Sequence, residues 1–240
     1  MTIAVAVMAK APRVGEVKTR LVPPLSATDA AALGAAFLQD IAGNILAASA
    51  LAPITAYVAY APAGAEEALR SLLPQSVRLL LSRRAGLAAS LFDATADLLA
   101  GGHAGVCLVN ADSPTLPTAM LVEAAHRLQQ PGDRVVLGPA EDGGYYLIGL
   151  KRPHERLFED IDWSTERVFR QTLDRAAELA LETVTLPKWY DVDDEASLRR
   201  LRIELNGTSA GTRHQYAAPH TAACLRRISV EDAVPIRGAG

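Results

Sequence analysis

Cysteine is nearly absent from this chain: only Cys107 and Cys224 occur in 240 residues. Two thiols cannot build a disulfide framework, which excludes a small stapled scaffold and points to a reducing compartment, the cytoplasm. Aromatic residues are also scarce, at 5%, so a core must rest on Ala, Leu, Val and Ile. No uninterrupted apolar stretch approaches the ~18 residues of a membrane span. The apolar start, MTIAVAVMAKAP, is broken by Lys10 and Pro12 and has no basic residues ahead of it, unlike a signal peptide. Neither charge sign dominates: 24 Lys and Arg stand against 27 Asp and Glu, for a net charge of −3. That balance excludes a chain-wide nucleic-acid or membrane-surface footprint. The five histidines form no H-x-x-x-H pair and there is no C-x-x-C, so metal-site spacings of that kind are missing too.

What the chain does have is an ordinary globular balance, 50% hydrophobic and 21% charged, and enough length to bury a core without staples. Short apolar runs alternate with amphipathic stretches. Strands are expected at Ile3–Met8, Ile54–Tyr60, Val77–Leu81, Val106–Val109, Val135–Leu137, Tyr145–Gly149 and Val184–Leu186. Helices are expected between them, one opened by the capping-box-like Ser26-Ala-Thr-Asp29 and others over Ala65–Leu73, Thr165–Ala180 and Glu195–Glu204. Alternating β and α with near-continuous apolar strands predicts an α/β fold, Rossmann-like, whose mostly parallel sheet is covered by helices on both faces. Ligands of such sheets sit outside the carboxyl ends of the strands. From about Asn206 onward no periodicity persists, so residues 206–240 read as an appendage, loosely packed or disordered, to a domain of residues 1–205.

The loop after the first strand, Lys10-Ala-Pro-Arg-Val-Gly-Glu-Val-Lys-Thr-Arg20, carries four cations (Lys10, Arg13, Lys18, Arg20) and one anion. At the ligand edge of a sheet, such a loop suits a pyrophosphate, which takes bidentate Arg contacts and point-charge Lys contacts. The other reading is a solvated basic loop. A dinucleotide fingerprint is missing, since only Gly15 is present, and a Walker loop is missing, since Val17 rather than Gly precedes Lys18-Thr19.

Three acidic clusters follow strands. In Asn110-Ala-Asp-Ser-Pro-Thr-Leu-Pro117, Asp112 is placed either to hold a hard cation or to shape a turn. In Gly138-Pro-Ala-Glu-Asp-Gly-Gly-Tyr-Tyr-Leu147, Gly143 and Gly144 permit close backbone approach to a ligand or a hairpin. Asp142 beside them can take a proton from an acceptor hydroxyl. In Trp189-Tyr-Asp-Val-Asp-Asp-Glu195, alternation sets Asp191 and Asp193 on one side, with Asp193 the better metal ligand and Asp194 the better helix cap. Trp163 of Asp-Ile-Asp-Trp-Ser-Thr flanks an acceptor pocket or simply packs, and Cys107 reads as a small core hydrophobe.

The ordered set KAPRVGEVKTRL, NADSPTLP, GPAEDGGYYLIGL, DIDWST and YDVDDEASL resembles a bacterial family of glycosyltransferases with the GT-A, or nucleotide-diphospho-sugar transferase, fold. The resemblance spans about residues 3–205 and implies a nucleotide-sugar donor, a small-molecule acceptor and a divalent metal, Mg²⁺ or Mn²⁺. It implies that Lys10, Arg13, Lys18 and Arg20 face donor phosphates, and that Asp112 and Asp193 hold the metal. By the same resemblance Asp142 and Gly144 lie at the acceptor, and Gly143, Trp163 and Ser164 are further candidates for its pocket. The chain departs from the family in two places, and in the first Asn110 stands where the family usually has Gly. Ala88, Ala89 and Ser90 replace the polar residues of a common Leu-Gly-Glu-Arg segment, with Arg83 and Arg84 nearby as substitutes.

The leading expectation is therefore metal-dependent glycosyl transfer. The alternative is a nucleotidylyltransferase that couples a nucleoside triphosphate to a phosphorylated small molecule and releases pyrophosphate. A nucleotide-binding protein without turnover is the third reading. No nucleic acid and no membrane span enter any of them.

Overall fold

A computed structural model of the chain describes residues 1–207 and 215–232. The short Val-, Ile- and Ala-rich runs form seven strands: β1 Ile3–Lys10, β2 Ile54–Ala61, β3 Arg78–Leu81, β4 Gly105–Val109, β5 Arg134–Pro139, β6 Tyr145–Leu150 and β7 Glu182–Thr185. They make one sheet in the order β3-β2-β1-β4-β6-β5-β7. Neighbours are parallel except around β6, which runs antiparallel to β4 and β5. The cause is length: residues 140–144 form a hairpin connection, far too short for the crossover a parallel neighbour needs. The helices are α1 Ala27–Ser49, α2 Glu66–Leu72, α3 Leu87–Ala100, α4 Thr118–Gln129, α5 Val168–Glu178, α6 Glu195–Leu205 and α7 Pro219–Asp232.

Alternation along β1 divides the core between the two sheet faces. Ile3, Val5 and Val7 join Leu38, Ile41 and Ile45 of α1 and Leu121 and Leu128 of α4 on one face. Ala4 and Ala6 join Leu91 and Leu98 of α3 and Ala176 of α5 on the other. The outer side of α1 has its own cluster: Leu33 and Phe37 meet Leu21, Tyr190, Val192, Leu198, Leu201 and Ile228. This second covered side explains why α1 is apolar almost all round. By length and composition it could cross a membrane, yet 61% of its apolar window is buried in this fold.

Caps mark the helix starts as expected. Ser26 Oγ accepts from the Asp29 N–H at 3.0 Å, opening α1. Asp194 and Ser197 form a reciprocal capping box that opens α6, an arrangement worth about 1 kcal/mol.

The segment set apart by its texture as an appendage contributes α7, which the periodicity did not reveal. Asp40 of α1 is fully buried and its carboxylate receives the His220 and Thr221 N–H groups at the start of α7, at 3.0 and 2.7 Å. Burial pushes the Asp40 carboxyl above its ordinary range, against those hydrogen bonds. Cys224, Leu225 and Ile228 then close over α1. Residues 208–214 and 233–240 of the same segment lie outside the described residues.

Candidate functional site

The sheet's strand order reverses between β1 and β4, the first going outward to β2 and β3 and the second beginning the other half. Loops leaving the carboxyl ends of these two strands diverge there and open a crevice, the usual ligand position of an open α/β sheet. The loop after β1 lies down on α1 because Gly34 is bare: a Cβ there would stand 3.2 Å from Val17 Cγ2. Lys18 adopts a left-handed backbone, φ 50°, and a short 3-10 helix Thr19–Leu21 anchors the loop by burying Leu21.

These constraints turn Lys18 inward. Its ammonium lies 2.5 Å from Asp112 Oδ1, 3.3 Å from Asp193 Oδ1 and 2.8 Å from the Val192 carbonyl oxygen, 4.9 Å from the Phe37 ring centroid. The Lys18 side chain is 7% exposed, against 36% for Asp112 and 41% for Asp193.

The two carboxylates are held by a seam between residues 110–113 and 190–193. The Val192 N–H donates to the Asp112 carbonyl at 2.9 Å. Asn110 Nδ2 and Ser113 Oγ donate to Asp191 Oδ1 at 2.7 and 2.6 Å. Burial raises the Asp191 carboxyl to about 6, the two hydrogen bonds oppose that rise, and the nearby Asp112 and Asp142 charges add to it. Asn110, a departure from the family pattern, is thus a pin of this seam. Its importance had no signal in the sequence, because its partner lies 81 residues away.

Two cavities meet at Arg20 and Asp193. One, of about 340 Å³, is lined by Lys10, Lys18, Arg20, Ala111, Asp112 and Asp193 among others. The second, of about 590 Å³, is lined by Glu141, Asp142, Asp191, Asp193, Asp194 and Arg200, with Tyr190 and Ser197. Arg200 donates to Glu141 at 2.8 Å and stacks on the Tyr190 ring at 3.8 Å. Glu141 lay within an acidic cluster legible in the sequence, whereas nothing local marks Arg200.

The remaining expected site residues fall out differently. Asp142 is exposed on the β5–β6 hairpin and accepts the Gly144 N–H through Oδ1 at 2.9 Å. Gly143 has φ +91°, and a Cβ there would run into the Glu166 backbone, so the glycine serves the packing of the hairpin on that segment. Trp163 packs edge-on to Tyr145 at 6.4 Å, and Ser164 is exposed with φ 64°. Neither lines either cavity, and neither does exposed Arg13. Arg83 and Arg84 are engaged by Asp97 and Asp93 of α3. Cys107 is buried in β4, its thiol pushed up to about 12 by burial, as a core hydrophobe should be.

Among the described residues no group of three or more His, Cys, Asp or Glu side chains is arranged to cage a metal. Asp112 and Asp193 instead converge on one point, beside a cavity that can admit phosphate oxygens. Two carboxylates completed by phosphate and water are the donor set Mg²⁺ and Mn²⁺ favour. The two carboxylates fit such a cation only where other ligands complete its shell.

Residues 44–165 match the model of a family described as "Uncharacterized protein conserved in bacteria (DUF2064)". A solved structure described as a "putative nucleotide-diphospho-sugar transferase" from Desulfovibrio desulfuricans G20 is similar at 28% identity and TM-score 0.81, covering 96% of each chain. A CMP:2-keto-3-deoxy-manno-octonic acid synthetase complexed with CTP has the same fold at 11% identity and TM-score 0.56, over 87% of this chain and all of that one. A cytidylyltransferase from Leptospira borgpetersenii does so at 10% identity and TM-score 0.52, over 100% of this chain and 99% of the other. No curated protein matches the chain in sequence. The fold is that of the nucleotide-diphospho-sugar transferases.

Proposed function

The chain belongs to the bacterial DUF2064 family, and from that premise we propose that it transfers a glycosyl group from a nucleotide-diphosphate sugar to a small acceptor, with Mg²⁺ or Mn²⁺. The observation that carries this reading is the convergence of Asp112 and Asp193 at the strand-order switch, beside a cavity walled by Lys10, Lys18 and Arg20. Likeness to the Desulfovibrio desulfuricans protein over nearly the whole chain supports it.

In this reading the donor's diphosphate lies in the smaller cavity, where Arg20 offers a planar fork and Lys10 and Lys18 offer point charges. Arg13 has no part in it. Asp112 and Asp193 hold the cation, which when bound neutralises charge on the departing diphosphate. The acceptor occupies the larger cavity. Gly144 fixes one oxygen of Asp142, and the other takes the proton from the acceptor hydroxyl. That hydroxyl oxygen bonds to the anomeric carbon, and the diphosphate leaves with the electrons of the broken C–O bond. Trp163 packs on Tyr145 of β6, and neither it nor Ser164 lines the acceptor's cavity.

The test is product identity. The protein is incubated with Mn²⁺ or Mg²⁺ and panels of nucleotide sugars and nucleoside triphosphates. Release of nucleoside diphosphate is the expected result, and release of pyrophosphate would replace this reading with nucleotidyl transfer. Asp112→Ala should abolish the metal-dependent turnover. Activity that survives it places the metal elsewhere.

A further inference from the structure

Lys18 was expected to face phosphate, yet in the structure its ammonium stands between the two carboxylates. Among the described residues no other cation contacts Asp112 or Asp193. An ammonium has three N–H donors, and here three acceptors surround it: Asp112 Oδ1, Asp193 Oδ1 and the Val192 carbonyl. The group donates to two of them, is ion-paired with Asp112, and is nearly closed off from water. It is an internal cation at the place where an external one is needed.

Resting on the reading of Asp112 and Asp193 as metal ligands, we propose that Lys18 is a built-in counter-ion that locks this pair until a diphosphate draws it away. Two like charges facing one point repel unless a cation lies between them, and Lys18 is that cation here. A divalent ion cannot take both carboxylates while an ammonium sits 2.5 Å from one of them. Displaced alone, the ammonium would lose its three acceptors beside a doubly charged neighbour. Displaced toward a diphosphate, it exchanges carboxylate oxygens for phosphate oxygens. Its flexible four-carbon stem suits such a swing, and Lys18 lines the cavity that Lys10 and Arg20 also line. Metal and diphosphate then load together, and by linkage each strengthens the other equally. Metal alone binds poorly, because the competent site is a minor population. A lock closed 90–99% of the time weakens apparent affinity by about 10- to 100-fold.

The experiment titrates Mn²⁺ alone into the wild-type protein, Lys18→Gln and Lys18→Met, reading bound ion by electron paramagnetic resonance and heat by calorimetry. The titrations are repeated with inorganic pyrophosphate, after subtracting its complex with Mn²⁺ in solution. Circular dichroism melts accompany each protein. Gln can still donate to the Val192 carbonyl and Met keeps only the apolar stem, so agreement between the two separates lost charge from lost packing. Both variants should bind Mn²⁺ alone about tenfold or more tightly than wild type. Pyrophosphate should tighten Mn²⁺ binding more in wild type than in either variant. Variants that bind Mn²⁺ alone no more tightly than wild type overturn the inference. Asp112→Asn shows which reading has failed. If binding depends on Asp112 but not on Lys18, only the lock is wrong; if it is absent or indifferent to Asp112, the metal assignment falls and the lock with it.

Discussion

The two cavities that meet at Arg20 and Asp193 differ in charge balance: the smaller sets Lys10, Lys18 and Arg20 against Glu16, Asp112 and Asp193, whereas carboxylates dominate the larger. On the β1 side Lys10, Lys18 and Arg20 come from one continuous loop, and Lys10 and Arg20 are exposed. On the other side Glu141, Asp142, Asp191, Asp193 and Asp194 outnumber the two arginines that line the same cavity, Arg20 and Arg200, and they come from two segments about 50 residues apart in the sequence. Asp191 and Asp142 are tied down by Asn110, Ser113 and Gly144. The comparison teaches a division of labour. Exposed Lys10 and Arg20 can adapt to phosphates, whereas groups that meet a reacting centre need fixed positions. A chain of net charge −3 hides both walls in its average.

The acidic wall can be broken hardest at Asp142. If it takes the acceptor's proton, Asp142→Asn should lower kcat by about 10²- to 10⁴-fold and leave the donor's KM near its original value. Steady-state kinetics would show it, and an equal rise in donor KM would move Asp142 to the phosphate side.

Next comes the fixed charge of Asp191. Its carboxyl is raised to about 6 in the folded protein, so the folded state holds a proton that the unfolded chain has already released. The resulting stabilisation is full below the ordinary carboxylate range and is lost as pH rises through about 6. Two units at 1.36 kcal/mol each make the loss roughly 3 kcal/mol. Urea unfolding of wild type and Asp191→Asn in metal-free buffer, from pH 4 to 7, should show the difference in stability swinging toward the variant. A constant difference would mean that Asp191 is not closed in.

The cationic wall is softer. Arg20→Ala should raise the donor's KM about tenfold, the cost of one charge-assisted contact, with kcat changed little. The smallest effect is expected outside both walls. Arg84 is held by Asp93 on α3, so Arg84→Ala should leave the donor's KM within about twofold. A larger rise would mean that Arg84 replaces the polar residues lost at Ala88–Ser90.

Much of this was legible locally. The strands at Ile3, Ile54 and Val106 were marked by short Val- and Ile-bearing runs, and helix starts at Ser26 and Asp194 by their capping residues. Asp112 and Asp193 were marked because each follows a strand-like segment at the expected ligand edge. Helix α7 was missed because its apolar face, Cys224, Leu225 and Ile228, is short and is stabilised by Asp40 from α1 rather than by its own pattern. Trp163 and Ser164 belong to a legible motif, yet neither lines either cavity and Trp163 packs on Tyr145.

By itself the sequence determined the α/β architecture and the residues that carry charge to the sheet's ligand edge, because periodicity and turn chemistry act over a few residues. Only the tertiary structure decided what those charges face. Lys18 of the basic loop pairs with Asp112 and Asp193, and Asp191 becomes a pin for Asn110 and Ser113. Such pairings join positions that are far apart along the chain. They form because burial in one crevice makes an unpaired charge costly, and no local pattern records that cost.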